Sequence, residues 1–465
     1  MKDLTQGSIL KNLLIYSSPV ILGDMLQSLY NSIDAFWVGR LIGPDALAAI
    51  SAASPVMFML ISLMIGIAVA TVIQVGQAFG MKDTPLLVKT MSNSFITILI
   101  MVVILSAAGI IFAMPVLKLL NTPDNIINDA WIFLVIIFSG LIFLFTQNWF
   151  SGILRGLGDS MTPLIILSAY VVLNIILAPL LIAGIGPFPK LGVAGSALAT
   201  VISGMITSAA ALVYLAKKNP MFNILKWDYR PDFKIIEKLA FMGFPISIQM
   251  IIVSFSALVV VSAVNKMGSD ITAAFGIGMR IDQFSFLPAM SLGAAASAFA
   301  AQALGAGKKE KIKEALGWSI VISMFFAVLF FAVVNAVAPQ IASIFTQDAG
   351  VISHSTGYFR IITFTYFFFS LLFVFQGIIR GAGDTAPSTV IAFISLLIIR
   401  GSLDHYLPEY NNLNENGIWI AMLVSAIAAA GLNAFYYSTG RWMKVYYKSR
   451  AAAASKAEAE VKPEA

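Results

Sequence analysis

The sequence predicts an all-α membrane protein with twelve transmembrane helices in two repeated six-helix halves. Three observations predict it: the composition, the apolar runs and an internal repeat. Of the 465 residues, 59% are hydrophobic and only 11% are Asp, Glu, Lys or Arg. Ordinary soluble domains carry roughly 25% charged residues, and water does not tolerate so much apolar surface. The lipid bilayer must therefore surround most of this chain.

The apolar runs number twelve. A bilayer core about 30 Å thick requires about 20 apolar residues per helix. Suitable runs begin near residues 12, 46, 88, 127, 162 and 192, and again near 240, 273, 315, 357, 386 and 417. The second and eighth runs extend past about 30 residues, which predicts tilted helices or ends that project into water.

The positive charges predict the orientation. With both termini inside the cell, 22 of the 29 Lys and Arg residues fall in cytoplasmic segments, and only Arg40, Lys118, Lys190 and Lys266 fall outside. Cytoplasmic loops carry such an excess. We therefore expect a multi-pass protein of the cytoplasmic membrane with both termini cytoplasmic. Because topology explains the net charge of +6, we expect no nucleic-acid partner.

Similar segments recur in the two halves. GQAFG at 76–80 matches AQALG at 301–305, and GILRGLGD at 152–159 matches GIIRGAGD at 377–384, both at an offset of 225. A constant offset indicates a duplication. Six spans per copy is an even number, so the copies share one orientation. Transporters are often built from such parallel repeats, with a substrate site near the middle of the membrane.

The repeat also predicts the domains. We expect an N-terminal lobe at 1–216, a basic cytoplasmic linker at 217–239, a C-terminal lobe at 240–447 and a disordered cytoplasmic tail at 448–465. The tail, KSRAAAASKAEAEVKPEA, combines charge with low hydrophobicity, as disordered segments do. We expect the lobes to form a monomer in the bilayer.

The composition argues against an enzyme and against a bound cofactor. The chain has no Cys and only two His, His354 and His405. This excludes disulfides, thiol chemistry, Cys-based zinc sites and a histidine-rich metal site. Asp24 and Asp34 lie about 15 Å apart along one helix, too far apart to act as a catalytic dyad. The sequence shows no other catalytic constellation.

Four segments resemble the multidrug and toxic compound extrusion (MATE) family. They are YNSIDAFWVGRLIG (30–43), SGILRGLGDSMTP (151–163), MRIDQFSFLPAMSLGAAASAFAAQALGAG (279–307) and QGIIRGAGDTAPS (376–388). The resemblance implies two six-helix bundles in a V that open alternately to either side. It also implies export of amphiphilic or cationic organic compounds in exchange for H+ or Na+. In the most similar branch, that of DNA-damage-inducible protein F, the coupling carboxylate lies in the N-terminal bundle.

Carboxylates inside the membrane are the candidate functional residues, because a charge at a helix centre costs about 2.5–3.5 kcal/mol. Asp24 and Asp34 lie deep in the first helix, and Asp282 lies deep in the eighth. Steps of three and four residues place several polar side chains on one face of the first helix. They are Asp24, Gln27, Ser28, Asn31 and Asp34, with Tyr30 at the border. Such a face either packs against another helix or lines a cavity. We predict that Asp34 is the cation-coupling residue.

The resemblance extends this site to the fifth helix. It maps Asn174 onto a cavity asparagine of the family, which makes Asp34 and Asn174 a candidate Na+ site. The family pattern has Asp where this chain has Ala178. A Na+ cage requires several oxygens, so the missing carboxylate favours H+ as the coupling ion. The substrate cavity is predicted to include Tyr30, Gln27, Asn31, Asn148 and Thr200, and Gln147 and Ser196 are further candidates.

Four other intramembrane residues are secondary candidates, namely Asp24, Asp282, Arg280 and Arg400. Asp24 is a substitute for the carboxylate missing at position 178, or a packing residue. Asp282 either forms a structural ion pair with Arg280 or Arg400, or binds a ligand directly. Pro19 removes a helical hydrogen bond and gives either a static kink or a bend that changes with the charge of Asp34. The alternative function is flipping of lipids or lipid-linked precursors, for which Arg280, Arg360 and Arg400 are the candidate cations.

Overall fold

A computed structural model describes residues 2–410 and 413–447 of the chain. Every regular element within these ranges is helical, as the composition predicts. The predicted disordered tail at 448–465 lies outside the described residues.

Up to twelve helical segments of the described chain are long and apolar enough to cross a bilayer, ten as single helices and two as bent pairs. They are α1 (Ile9–Leu41), α2 (Pro44–Gly80), α3 (Thr84–Leu119), α4 (Asp124–Ser139 and Leu141–Gly156), α5 (Met161–Ala183), α6 (Val193–Lys218), α7 (Phe233–Asn265), α8 (Ser269–Gly305), α9 (Glu310–Ala336), α10 (Ala349–Ile362 and Thr365–Gly381), α11 (Ala386–Tyr406) and α12 (Glu415–Ser438). The bends in α4 and α10 are 52° and 46°. All twelve predicted runs are helical, and α2 and α8 reach 37 residues each.

The internal repeat is visible in the backbone. Pairs of residues 225 positions apart share a positive φ at the turns; they are Gly43 and Gly268, Lys82 and Gly307, and Gly158 and Gly383. The helix crossings repeat as well. A Cβ atom at Gly156 would lie 2.8 Å from the carbonyl oxygen of Val72, and one at Gly381 would lie 2.5 Å from that of Ser297. The two halves therefore share turns and close helix contacts.

Two helices belong to both compact units of the molecule. The first unit contains Lys2 and Ser18–Ser247, and the second contains Asp3–Ser17 and the chain from Ile248 onward. Pro19 lies next to the point where α1 passes from one unit to the other, and Pro245 lies close to the corresponding point in α7. Proline removes a hydrogen bond of the helix, so α1 and α7 each lack a bond near the change of unit.

The first unit contains an aromatic core that also contacts the linker. Trp149 is fully buried and donates from Nε1 to Ser94 Oγ at 2.8 Å. Trp227 of the linker packs edge-on against Trp149, with ring centroids 5.7 Å apart. Lys89 forms an ion pair with Asp232 at 2.7 Å. Partial burial acts to raise the pKa of Asp232, but hydrogen bonding to Lys89 and to backbone amides holds that pKa below its usual value.

The second unit has its own aromatic core. Phe275 of α8 stacks on Trp419 of α12, with ring centroids 5.5 Å apart. Tyr358 of α10 packs edge-on against Trp419 at 4.8 Å. All three rings are buried. The core thus joins α8, α10 and α12 around the position of Asp282.

Candidate functional site

Two side chains of α1 meet two side chains of α6. The hydroxyl of Tyr30 lies 3.2 Å from Thr200 Oγ1, and Ser196 Oγ donates to Asp34 Oδ1 at 3.4 Å. Tyr30 and Asp34 are one helical turn apart, and so are Ser196 and Thr200. The order is reversed between the two helices, so α1 and α6 run antiparallel here and the two contacts form successive rungs.

Helix α5 adds a second layer to these rungs. Tyr170 donates its hydroxyl to the hydroxyl of Tyr30 at 3.1 Å, and the two rings meet edge-on at 5.4 Å. Asn174, one turn further along α5, donates from Nδ2 to Thr200 Oγ1 at 3.3 Å. Hydroxyl and amide groups thereby connect α1, α5 and α6 of the first unit. We call Tyr30, Asp34, Tyr170, Asn174, Ser196 and Thr200 the first-unit network.

Four members of the network are buried and two are half-buried. Asn174 is 1% exposed, whereas Asp34 and Thr200 are half-buried. Within the described residues, Asp34 accepts one hydrogen bond, and its length of 3.4 Å exceeds the usual 2.5–3.0 Å of a hydroxyl donor. No Lys or Arg of the described chain forms an ion pair with Asp34. An ionised carboxylate can accept about four hydrogen bonds, so Asp34 retains capacity for a proton or a small cation.

The structure brings some of the predicted site residues together. Tyr30, Asp34, Asn174 and Thr200 all belong to the first-unit network. The other predicted cavity residues make contacts within their own helices. Gln27 donates to Asn31 at 3.3 Å, and Asn148 donates to the carbonyl oxygen of Leu144 at 2.9 Å.

Tyr170 was not among the site residues predicted from the sequence. The signal was available, because Tyr170, Asn174 and Ala178 follow one another at single turns along α5. Tyr170 and Ala178 are both buried. Ala178, which stands where the family pattern has Asp, is therefore buried on the same face of α5 as Asn174.

Asp282 in the second unit has a different environment from the one expected. It is 5% exposed and accepts hydrogen bonds from the hydroxyls of Tyr358 and Tyr366, the latter at 2.7 Å. Of the two alternatives given for Asp282, the ion pair with Arg280 or Arg400 is wrong for the described residues. Arg280 lies over the ring of Phe345 at 5.7 Å.

Arg400, the other expected partner of Asp282, is directed toward Asp404 on its own helix. Its Nε lies 3.8 Å from Asp404 Oδ2. Two tyrosine hydroxyls can satisfy a buried carboxylate without an opposite charge, which is why Asp282 requires no arginine. Among the described residues, no group of three or more His, Asp or Glu is arranged to hold a metal ion.

The architecture is that of a secondary membrane transporter built from two parallel repeats. The chain belongs to the MatE family. The family profile matches it twice, at residues 19–180 and 245–404. The two matches coincide with the two copies of the internal repeat, so the duplication inferred from short motifs is confirmed. The resemblance to the MATE family is confirmed with it, and the chain is a transporter and not an enzyme.

Individual relatives span nearly the whole chain. The probable multidrug resistance protein YoeA of Bacillus subtilis (strain 168) is 32% identical over 443 residues, which cover 95% of this chain and 96% of that protein. The probable multidrug resistance protein YpnP of the same organism is 31% identical over 451 residues, covering 96% and 98%. The crystal structure of MATE in complex with MaD3S superposes with a TM-score of 0.87 at 24% identity, covering 95% and 98%. This structural match confirms the predicted fold.

Proposed function

We propose that the chain exports amphiphilic, mostly cationic organic compounds across the cytoplasmic membrane in exchange for H+ or Na+, with Asp34 as the coupling carboxylate. Membership of the MatE family supports transport, and the names of YoeA and YpnP support multidrug compounds as the substrate class. The excess of Lys and Arg in alternate loops supports cytoplasmic termini. A single copy carries both repeats, so the proposed unit of transport is the monomer.

The observation that carries the proposal is the incomplete hydrogen bonding of Asp34. Its carboxylate sits in a membrane-spanning helix with one long hydrogen bond from Ser196 and no cationic partner among the described residues. A carboxylate in such a place is costly to keep charged. Uptake of a proton or of Na+ relieves that cost, and its release restores it. Asp34 can therefore alternate between a charged state and a cation-bound state.

The first-unit network offers a way to couple this change to the substrate. When Asp34 binds a cation, the contact with Ser196 changes, and the neighbouring rung between Tyr30 and Thr200 lies one turn away. Substrate binds on the same face of α1, at Gln27 and Asn31, with Asn148 from α4. Pro19 lets α1 bend when Asp34 changes charge.

The surroundings of Asp34 favour H+ over Na+ as the coupling ion. Na+ requires several oxygen ligands, as hard cations do, whereas a proton requires one. Ala178 supplies no oxygen where the family pattern has a carboxylate. The amide nitrogen of Asn174 donates a hydrogen bond to Thr200. The amide oxygen of Asn174 is therefore a further ligand if Na+ binds.

Purified protein in liposomes tests the proposal. Efflux of ethidium, a fluorescent organic cation, is measured under a pH gradient alone and under a Na+ gradient alone. We expect gradient-driven efflux to fall at least tenfold in Asp34→Asn, because an amide binds neither ion as a carboxylate does. Ser32→Ala is the matched control on α1, since Ser32 Oγ bonds to its own helix at the carbonyl oxygen of Ser28.

Three results would count against the proposal. Undiminished coupled efflux in Asp34→Asn would remove Asp34 from the coupling role. An equal loss in Ser32→Ala would indicate general damage to α1. Movement of a labelled lipid between leaflets at the same rate with and without a gradient, without ethidium efflux, would favour the flippase alternative.

A further inference from the structure

The segment before α1 forms a compact turn whose central residues are buried. Leu4 and Thr5 are 2% and 1% exposed. The carboxylate of Asp3 accepts hydrogen bonds from the backbone amide and the hydroxyl of Thr5, at 2.9 and 2.6 Å, and a third from Gln6 Nε2 at 2.8 Å. We call residues 3–6 the entry turn of α1.

Three side chains at the ends of α8 and α9 bind the entry turn within the second unit. Gln302, in the last turn of α8, accepts a hydrogen bond from the backbone amide of Leu4 at 2.9 Å. Lys308 donates from Nζ to Thr5 Oγ1 at 2.9 Å, and Lys311 of α9 donates from Nζ to the carbonyl oxygen of Thr5 at 2.7 Å. Hydrogen bonds from an ammonium group are stronger than those between neutral groups, and two of them converge on this one residue.

Asn12 joins the entry turn to α1. This residue is 5% exposed and donates from Nδ2 to the carbonyl oxygens of Leu4 and Gln6, at 2.9 and 2.7 Å. Residues Asp3–Ser17 belong to the second unit, whereas the rest of α1 belongs to the first. The start of α1 is therefore attached to the second unit through its entry turn, and Pro19 lies two residues beyond the attached part.

The charges of the contact are complementary. Partial burial acts to raise the pKa of Asp3, but hydrogen bonds from Thr5 and Gln6 and the charge of Lys308 hold that pKa below its usual value. Asp3 is therefore ionised at neutral pH. An ammonium group only donates and a carboxylate only accepts, so the hydroxyl of Thr5 accepts from Lys308 and donates to Asp3. This hydroxyl links the two charges.

Lys308 and Lys311 are not part of the internal repeat. At the offset of 225, the corresponding residues of the first copy are Asp83 and Leu86. Asp83 accepts a hydrogen bond from the backbone amide of Leu86 and so caps the start of α3. The duplicated turn therefore does not account for the two lysines, whereas their contact with Thr5 does.

The first unit binds the segment before α7 in a comparable way. Lys89 of α3 forms an ion pair with Asp232, the residue directly before α7, and Asn93 Oδ1 accepts a hydrogen bond from the backbone amide of Asp232 at 2.7 Å. Helices α1 and α7 are the two that pass from one unit to the other. Each unit thus holds, through lysine, the segment by which one of these helices begins.

We propose that Lys308 and Lys311 are positioning residues for transport, which keep the entry turn bound to the second unit throughout the transport cycle. The first part of α1 then stays fixed, and a change in the direction of α1 takes place beyond it, near Pro19, where a helical hydrogen bond is missing. Without a fixed start, α1 moves as a whole when Asp34 changes charge, and less of that movement becomes a bend. The effect on transport rests on the proposed role of Asp34, whereas the binding of the entry turn does not.

A single thiol reports whether the entry turn is bound. The chain contains no Cys, so Leu4→Cys introduces the only thiol, at a buried side chain that takes no part in the lysine contacts. Its rate of reaction with fluorescein maleimide is measured on the purified full-length protein in detergent micelles. We expect Lys308→Ala combined with Lys311→Ala to raise this rate at least tenfold, because the turn is released.

Lys313→Ala is the matched charge control. Lys313 is an exposed lysine two residues beyond Lys311 on α9, and its substitution should leave the labelling rate unchanged. An equal rise in Lys313→Ala would show a general effect of positive charge and would overturn the proposal. An unchanged rate in the double alanine variant would also overturn it.

Transport is measured separately, as ethidium efflux in liposomes, in protein without Leu4→Cys. We expect the double alanine variant of Lys308 and Lys311 to lower the maximal rate at least fivefold and to change the half-saturating ethidium concentration less than twofold, because the lysines act on the movement of α1. Lys308→Arg with Lys311→Arg keeps the charged donors and should retain most of the rate. A wild-type maximal rate in the alanine variant, or an equal loss in the arginine variant, would contradict the positioning role.

Two further measurements keep the test decisive. Thr5→Val removes only the hydroxyl that Lys308 binds; if the double alanine variant does not fold, wild-type labelling and efflux in Thr5→Val would contradict the proposal. Labelling of Leu4→Cys should be equally slow at rest and during efflux, and faster labelling during efflux would show that the turn leaves the second unit in each cycle. Asp34→Asn should leave the labelling rate at rest unchanged, so failure of the coupling proposal and failure of this one are distinguishable.

Discussion

Each of the two units holds a carboxylate inside a membrane-spanning helix. The surroundings of these two carboxylates differ, although both units carry a copy of the same repeat. Asp34 of the first unit is half-buried and accepts one hydrogen bond of 3.4 Å from Ser196. Asp282 of the second unit is 5% exposed and accepts hydrogen bonds from Tyr358 and Tyr366. Neither residue forms an ion pair within the described chain. The units thus share turns and helix crossings but differ in how a buried charge is satisfied.

This difference separates two uses of an intramembrane carboxylate. Hydrogen bonds from two hydroxyls hold Asp282 in one position and join α8 to both segments of α10. Hydrogen bonds to a charged group contribute about 1.5–3 kcal/mol each, so Asp282 contributes mainly to stability. Asp34 gains little from its long bond, which agrees with the coupling role proposed for it. Depth in the membrane alone does not tell these two cases apart.

The largest effect is expected from Asp282→Ala. The substitution removes the acceptor of two tyrosine hydroxyls and leaves them buried without it, which should lower the free energy of unfolding by about 3 kcal/mol or more. We expect the apparent melting temperature of the detergent-solubilised protein to fall by roughly 3 °C or more. Intrinsic fluorescence during heating measures this change.

Asp34→Ala is the matched variant in the first unit. Its effect on the melting temperature should be a small fraction of that of Asp282→Ala, because it removes one long hydrogen bond from a half-buried group. Similar destabilisation by both variants would mean that Asp34 is also a structural residue, and the contrast between the units would not hold.

The sequence predicted the helices well because their signal is local. A run of about 20 apolar residues in lipid must satisfy its backbone hydrogen bonds within itself, so all twelve runs became helices. The repeat was equally visible, since motifs such as those at 152–159 and 377–384 mark turns with fixed backbone conformations. The passage of α1 and α7 between the two units could not be predicted, because it depends on contacts between segments far apart in the chain.

The candidate site was only partly predictable, for a related reason. Helical spacing placed Tyr30 and Asp34 near one face of α1, but it does not say which residue of another helix they meet. The contact of Tyr30 with Tyr170 and Thr200 is therefore a result of the structure. For Asp282, the expectation of an arginine partner rested on which arginines lie in or at the ends of the apolar runs. The tyrosines that bind it are 76 and 84 residues away.

Removing single tyrosine hydroxyls gives the next effect in size. Tyr366→Phe removes a donor at 2.7 Å from the carboxylate of Asp282 and should destabilise the protein by about 1.5–3 kcal/mol. Tyr170→Phe is the matched change in the first unit and removes a bond of 3.1 Å between two neutral hydroxyls, which contributes about 1 kcal/mol. Phenylalanine keeps the ring packing in both cases. Melting temperatures of the two variants measure the difference, and equal shifts would contradict the contrast between the units.

The smallest change in stability is expected from Ser196→Ala, and it is also the most informative about the coupling ion. Loss of a bond of 3.4 Å should alter the free energy of unfolding by less than about 0.5 kcal/mol.

The effect of Ser196→Ala on ion uptake depends on which ion Asp34 binds. With H+, the ionised carboxylate loses its donor, so half-maximal efflux should require a proton concentration lower by roughly twofold, the equivalent of about 0.5 kcal/mol. With Na+, the serine oxygen is lost as a ligand, so half-maximal efflux should require more Na+. Efflux in liposomes at varied pH and at varied Na+ distinguishes the two, and an unchanged response to both ions would show that the contact with Ser196 has no part in coupling.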